Sequence, residues 1–360
     1  MCTLFDSNYL DKGIVLHKSL IENCNEFELY ILPMDKRCAE ILYDLNLNNV
    51  IVIEYDKFED GDLKRIKNER THAEFCWTCT AKLISYVFRR YNPPFCTYVD
   101  SDLYFFDDPS ILIEEMLRSG DDVQILRHNF QSFERKESEK SAGEYCVEFN
   151  TFVNNHNGRT VLSRWEKECI RDCSYRQKDD VMGDQKYLQS WPTEYKFVNV
   201  SCNQGAGVAP WNINKFKYII GDEDIKIIDI ESEQQFKLIF FHFQNVRFVE
   251  NKIICCDVLP NIMSKVKKIY EIYLSQIINT KRMLKQKYGI SVKIPQHPAE
   301  QEAKINKEST LKDKWINCIV EKGIAKSIID VFNGRYRMLI HYYYYSKRKT
   351  LIITEKDLFV

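Results

Sequence analysis

Apolar and polar residues fall in short blocks along the first third of the chain, and their spacing predicts elements one by one. Residues 1–5 read as a short strand, 6–13 as a polar loop and 14–24 as an amphipathic helix. Residues 27–32 then read as a strand, 36–45 as a helix and 49–55 as a strand. Residues 71–91 place Phe75, Leu83, Tyr86 and Val87 on or near one stripe, as a helical repeat requires, and Pro93-Pro94 ends that pattern. Residues 95–99 form a strand and 111–117 a helix. Strands alternating with helices over this span predict an α/β fold, a mostly parallel sheet flanked by helices and joined by right-handed crossovers.

Further along, 145–153, 196–200 and 235–243 read as strands, and 159–171, 262–287 and 312–332 as helices. Residues 132–143 are charged and nearly free of large apolar side chains, which predicts a solvated, mobile loop. Residues 295–308 read as a polar linker. A chain of 360 residues exceeds what one core usually supports. Residues 1–250 are therefore expected to form the principal α/β domain and 251–360 a helical C-terminal region.

The net charge of −1 offers no broad attraction to nucleic acid. The N-terminus lacks a basic stretch followed by an apolar one, and no run of 18 apolar residues occurs. The thirteen cysteines are then expected as unpaired, mostly buried thiols in a reducing cytoplasm. Cys76-x-x-Cys79 and the Cys169, Cys173 pair could suggest zinc. They lack partner pairs at finger spacing, and packing accounts for them.

Candidate chemistry concentrates in the run Phe95-Cys-Thr-Tyr-Val-Asp-Ser-Asp-Leu-Tyr-Phe-Phe-Asp-Asp-Pro109. Residues i and i+2 of a strand share a face, so a strand ending at Val99 would let Asp100 and Asp102 project toward one point. Adjacent like charges are costly unless a cation lies between them, and Mg²⁺ or Mn²⁺ takes oxygen ligands while bridging to phosphate. Asp is also common in plain turns. Position favours the metal reading, because the strand end is where open α/β sheets form ligand crevices.

Three later segments carry two readings each. In Gly183-Asp-Gln-Lys-Tyr-Leu188, Asp184 is either a helix N-cap or, with Gln185, a partner for sugar hydroxyls. Residues 205–212 are either a tight turn or a place where backbone N–H groups around Gly207 approach a ligand. In Phe240-Phe-His-Phe243, His242 is either a satisfied core histidine or a third ligand for the cation.

Taken in order, these segments join an N-terminal Cys2-Thr-Leu-Phe-Asp-Ser-Asn-Tyr-Leu10, a Trp77-Thr-Cys-Thr80 and a Trp191-Pro192. Over residues 1–250 the series resembles the bacterial nucleotide-diphospho-sugar glycosyltransferases of the GT-A fold, and is similar to glycosyltransferase family 8. The resemblance implies Mn²⁺ (or Mg²⁺) held by Asp100, Asp102 and His242, with Ser101 near the ribose. It implies that Thr3, Phe5, Asp6 and Tyr9 hold the base and ribose, and that Lys82 faces the donor. Asp184 and Gln185 would contact the transferred sugar as the catalytic pair. Relatives follow the late histidine with a lysine motif, and Arg247 stands near that place as a diphosphate contact.

The implied reaction moves a hexose-type sugar from a nucleotide diphosphate, UDP in the first instance, to a glycan, lipid-linked or other hydroxyl acceptor with retention. A non-catalytic sugar-nucleotide-binding or scaffold protein of the same fold is the alternative. A nucleotidyltransferase fits less well, since residues 1–13 hold one glycine and no arginine. The basic and aromatic residues 335–349 suit either peripheral contact with the inner face of a membrane or a packed helix with a solvated end.

Overall fold

A seven-stranded sheet lies at the centre of the computed structural model, which describes residues 1–131, 135–175, 181–221, 224–249, 252–255, 260–290 and 351–354. The N-terminal part runs β1 (Cys2–Phe5), α1 (Leu10–Asn23), β2 (Leu29–Pro33), α2 (Lys36–Leu45), β3 (Val50–Val52), α3 (Tyr55–Phe58), α4 (Gly61–Ile66), α5 (His72–Tyr91) and β4 (Phe95–Val99). The middle follows with β5 (Leu103–Phe105), α6 (Ser110–Ser119), β6 (Val123–Arg127), α7 (Arg135–Ala142), β7 (Tyr145–Val153), α8 (His156–Arg171), α9 (Trp191–Glu194) and β8 (Val198–Val200). Then come β9 (Phe216–Ile220), β10 (Ile225–Asp229), β11 (Gln235–Lys237), β12 (Phe240–His242), β13 (Val246–Val249), β14 (Lys252–Cys255), α10 (Pro260–Tyr288) and β15 (Leu351–Thr354).

The central order is β3-β2-β1-β4-β7-β6-β8. Every neighbouring pair is parallel except the two made by β7, which runs against β4 and β6. β1 and β2 are buried along their whole length, which is why their sequences read as continuous apolar runs rather than alternating ones. Helix ends obey local chemistry. Thr71 and Glu74 form a reciprocal capping box at the start of α5, and Asn92 closes it in the left-handed conformation at φ 53°. Asp35 caps α2 by accepting the Cys38 N–H at 2.7 Å.

Four expectations are corrected. The segment expected as a loop to residue 13 turns helical at Leu10, because Asp6 accepts the N–H groups of Asn8 and Tyr9 and closes the turn early. The span expected as a mobile loop holds α7, with Arg135 paired to Glu139 one turn on at 2.7 Å. The single strand expected over 235–243 is two. Leu238 and Ile239 cross between sheets, donating to Ile225 and Gly205 at 2.8 Å each, and β11 pairs with β10 while β12 pairs with β5. From 251 onward α10 runs where the helix at 262–287 was expected, but the region is not helical throughout, since the strands β14 and β15 form a sheet with β13.

α10 packs on the rest of the fold through a buried stripe of Val266, Ile269, Tyr270, Tyr273, Leu274 and Ile277. Tyr273 stacks on Phe243 with ring centres 3.8 Å apart and meets Tyr104 edge-on at 6.1 Å. Lys281 pairs with Asp11 of α1 at 3.4 Å. Among the described residues no helix is long and apolar enough to cross a membrane. The linker, helix and basic-aromatic segment expected at 295–308, 312–332 and 335–349 lie outside the described residues. The cysteines among the described residues are unpaired, and Cys79, Cys169 and Cys173 are packed in one apolar core.

Candidate active site

β1 and β4 are adjacent and parallel, with Cys2 opposite Tyr98, so Asp6 and Asp100 leave the sheet at the same C-terminal rim. Beyond Val99 the chain makes a turn closed by the Leu103 N–H on the Asp100 carbonyl at 3.2 Å. Asp100 and Asp102 therefore converge through a turn, rather than through the alternation of an extended strand. β5 then pairs antiparallel with β12, setting Leu103 opposite His242. The Phe243 N–H donates to the Asp102 carbonyl at 3.0 Å. A strand from the far side of the sequence thus seats its histidine directly over the acidic turn.

His242 Nε2 lies 3.1 Å from Asp102 Oδ1 and 3.8 Å from Asp100 Oδ2. Its Nδ1 lies 2.7 Å from Glu148 Oε2. Glu148 is carried by β7 next to Asp100, whose N–H donates to the Glu148 carbonyl at 3.0 Å. Lys12 Nζ stands 3.5 Å from Asp102 Oδ2 and 4.1 Å above the Tyr9 ring. The Tyr98 hydroxyl donates to Asp100 Oδ1 at 3.0 Å. The Trp211 ring meets His242 edge-on at 5.3 Å.

These neighbours push the two carboxyls apart. Crowding by protein raises Asp100 up to about 8 against the pull of His242, and Asp102 and Asp184 add to the rise. Asp102 is equally crowded, yet the charges of His242 and Lys12 hold it below the ordinary carboxylate range. His242 is held well above its ordinary value: burial alone would lower it, and Asp102 outweighs that. Burial raises Asp184 up to about 7, opposed by a hydrogen bond from Thr80.

Asp100, Asp102 and His242 form a group able to hold a metal ion, their donor atoms lying within 4.8 Å of one another. The donor set is two carboxylates and one imidazole, which suits Mn²⁺ or Mg²⁺. The Asp100 side chain is 29% exposed, so the group opens toward solvent on one side.

The other expected residues fall in several places. Thr3 is buried in β1 with its hydroxyl unpartnered, and the Phe5 ring fills the space where a Cβ at Gly13 would lie 2.3 Å away. Asp6 pairs with His72 Nε2 at 3.0 Å, and that partner chiefly lifts His72 to about 10. Ser101 is buried within the acidic turn. Asp184 caps no helix. Its carbonyl accepts from the Trp165 indole at 2.8 Å, and its carboxyl reaches Thr80 and the vicinity of Asp100. Gln185 donates to the Ala142 carbonyl at 2.8 Å. Gly207 holds φ +72°, and a Cβ there would lie 2.7 Å from Glu148 Oε1.

Lys82 departs from its expected role, since its ammonium is held by Asp60 at 2.5 Å and Glu166 at 3.2 Å. Thr80, two residues earlier, faces Asp184 and Tyr98. Positions i and i+2 of a helix diverge by about 200°, so one helix cannot aim both at the rim. The lysine that touches the acidic pair is Lys12. Arg247 belongs to β13, and its side chain lies outside the described residues. Sequence reasoning missed Glu148 and Lys12. A lone carboxylate inside the apolar run 145–153 was the available signal for the first.

No family model matches the chain. Two uncharacterized proteins of Bacillus subtilis (strain 168) are similar to it. YfnD is 27% identical over 289 residues, covering 78% of this chain and 88% of YfnD. YfnF is 27% identical over 258 residues, covering 69% of this chain and 82% of YfnF. Among solved structures, an active-site mutant of LgtC superposes over 84% of this chain and 99% of its own, with a TM-score of 0.50 and 13% identity. LgtC is described as a galactosyltransferase in its complex with donor and acceptor sugar analogues. At such low identity the likeness bears on the fold, and the mixed sheet flanked by helices is a GT-A architecture.

Proposed function

We propose that the chain is a metal-dependent glycosyltransferase that moves a hexose-type sugar from a nucleotide diphosphate, UDP in the first instance, to a hydroxyl of a glycan or lipid-linked acceptor, with retention. One observation carries the reading: two carboxylates and an imidazole converge within 4.8 Å at the C-terminal rim of a GT-A sheet.

Breaking the C1–O bond of a sugar nucleotide leaves negative charge on the departing diphosphate. Mn²⁺ or Mg²⁺ held by Asp100, Asp102 and His242 would supply a Lewis acid there. Lys12, already beside Asp102, adds positive charge to the same rim. Asp6, Tyr9 and Ser101 stand at the strand ends where the base and ribose would lie. Asp184 would accept from hydroxyls of the sugar, and Gln185 would orient it. Burial near Thr80 keeps the Asp184 carboxyl close to its titration point at neutral pH, so it both accepts and donates hydrogen bonds.

The test is a panel of UDP- and GDP-sugars with Mn²⁺, read as nucleotide release and, with an acceptor found, as product anomer by NMR. Release with one donor and a retained anomer is the expected result. Tight donor binding with no release across the panel would favour the scaffold alternative. An inverted product would remove the retaining assignment.

A further inference from the structure

Glu148 stands at the centre of the sheet with its side chain fully buried. A carboxyl in such a place costs several kcal/mol unless it is paired. Among the described residues its hydrogen-bond partner is the imidazole of His242, with Oε2 2.7 Å from Nδ1. The second oxygen, Oε1, is buried without a hydrogen-bond partner. The fold leaves room for it at a specific point, since any side chain at Gly207 would begin 2.7 Å from that oxygen. β7 alternates its faces, so Cys146 and Glu148 share the one turned toward His242, and both lie within 4.8 Å of it.

The two ring nitrogens of His242 thus face opposite ways. Nε2 looks at Asp102 and Asp100, and Nδ1 at Glu148. A ring that is to offer a lone pair through Nε2 must carry its proton on Nδ1, and an acceptor at Nδ1 enforces that arrangement. The backbone adds a second restraint, because the His242 N–H donates to the Val208 carbonyl at 2.8 Å. A third comes from the edge-on Trp211.

We propose that Glu148 is a positioning residue: by accepting the Nδ1–H of His242 it fixes the tautomer and the rotation of the ring, so that Nε2 is presented to a divalent cation between Asp100 and Asp102. This deepens the functional reading above and rests on its metal site, not on the identity of the donor. On this reading Glu148 acts through His242 rather than on donor or cation.

The experiment is a direct titration of the full chain with Mn²⁺, following free ion by electron paramagnetic resonance without any sugar nucleotide. Glu148→Ala is expected to weaken Mn²⁺ binding by about 10–100-fold, the usual effect of losing an outer partner of a ligating histidine. Glu148→Gln keeps the volume and an acceptor oxygen and is expected to lose less. Wild-type affinity in both Glu148 variants, with circular dichroism unchanged, would overturn the assignment.

A second measurement needs no variant. Long-range ¹H–¹⁵N spectra of the ¹⁵N-histidine-labelled wild-type chain with Mg²⁺ should show His242 protonated at Nδ1, and protonation at Nε2 would overturn the proposal. If the wild-type chain binds Mn²⁺ but releases no nucleotide from any donor, the transferase reading fails while the role of Glu148 stands. If wild type binds neither ion, the metal site falls and Glu148 with it.

Discussion

His242 lies against three carboxyl groups: Glu148 of β7 at 2.7 Å, and Asp102 and Asp100 of the one acidic turn at 3.1 Å and 3.8 Å. Asp102 is the carboxylate most committed to this arrangement, with one oxygen toward His242 and the other toward Lys12. Asp102→Asn keeps the shape and removes the charge. It should lower donor hydrolysis or transfer by more than about 100-fold, exceeding the loss of a mere outer partner, with circular dichroism unchanged. Full activity in that variant, or undiminished activity in excess EDTA, would count against the site. At this scale the sequence pointed to Asp100, Asp102 and His242, although a turn and a distant strand, not strand alternation, bring them together. It was opaque for Lys12 and Glu148, whose importance comes from where α1 and β7 lie rather than from any neighbour in the chain.

The ladder between β5 and β12 is the element on which the site depends, because it sets His242 opposite the acidic turn. It is short, and α10 braces it with aromatic rings: Tyr273 on Phe243 and Tyr104, and Tyr270 on Phe241 at 5.5 Å. Tyr273→Ala should therefore cost about 3–5 kcal/mol of stability, as large buried truncations do. Its cation affinity should fall with it. Tyr273→Phe retains the stack and should stay within about 1 kcal/mol of wild type. Urea unfolding and Mn²⁺ titration check both, and a Tyr273→Ala chain as stable as wild type would show the brace to be idle. Elements with a strong local signal, such as α2, β4 and β7, ran where periodicity put them. The break between β11 and β12 left no such mark. Its cause is a change of partner strand, and apolar residues continue straight through it.

For the whole molecule the acidic rim should make stability depend on pH and, on the proposed reading, on the cation as well. Asp100, raised to about 8, and Asp184, raised to about 7, hold protons in the fold that an unfolded chain would have released near pH 4. A folded state that binds more protons loses stability as pH rises, here from about 4 toward 8. His242, raised by Asp102, contributes stability below about 6.5 that is lost as pH climbs through its higher folded value, so it acts in the same direction. Asp102, held low, is charged throughout this window and adds no slope. The ion-free protein should thus melt at a lower temperature at pH 8.5 than at pH 6. Added Mg²⁺ should raise the melting temperature more at pH 8.5, since at pH 6 it must displace protons before it binds. A Mg²⁺-induced shift independent of pH in differential scanning calorimetry would refute this account.

α10 also fixes when the site can come into being. The acidic turn lies within the first 105 residues, while the helix that clasps β5 and β12 is complete only at Tyr288. On the ribosome, the N-terminal strands can emerge and pair long before Tyr270 and Tyr273 are translated. If the proposed metal site is right, a nascent chain stalled before Tyr270 lacks the rings that brace the histidine strand and should not retain the cation.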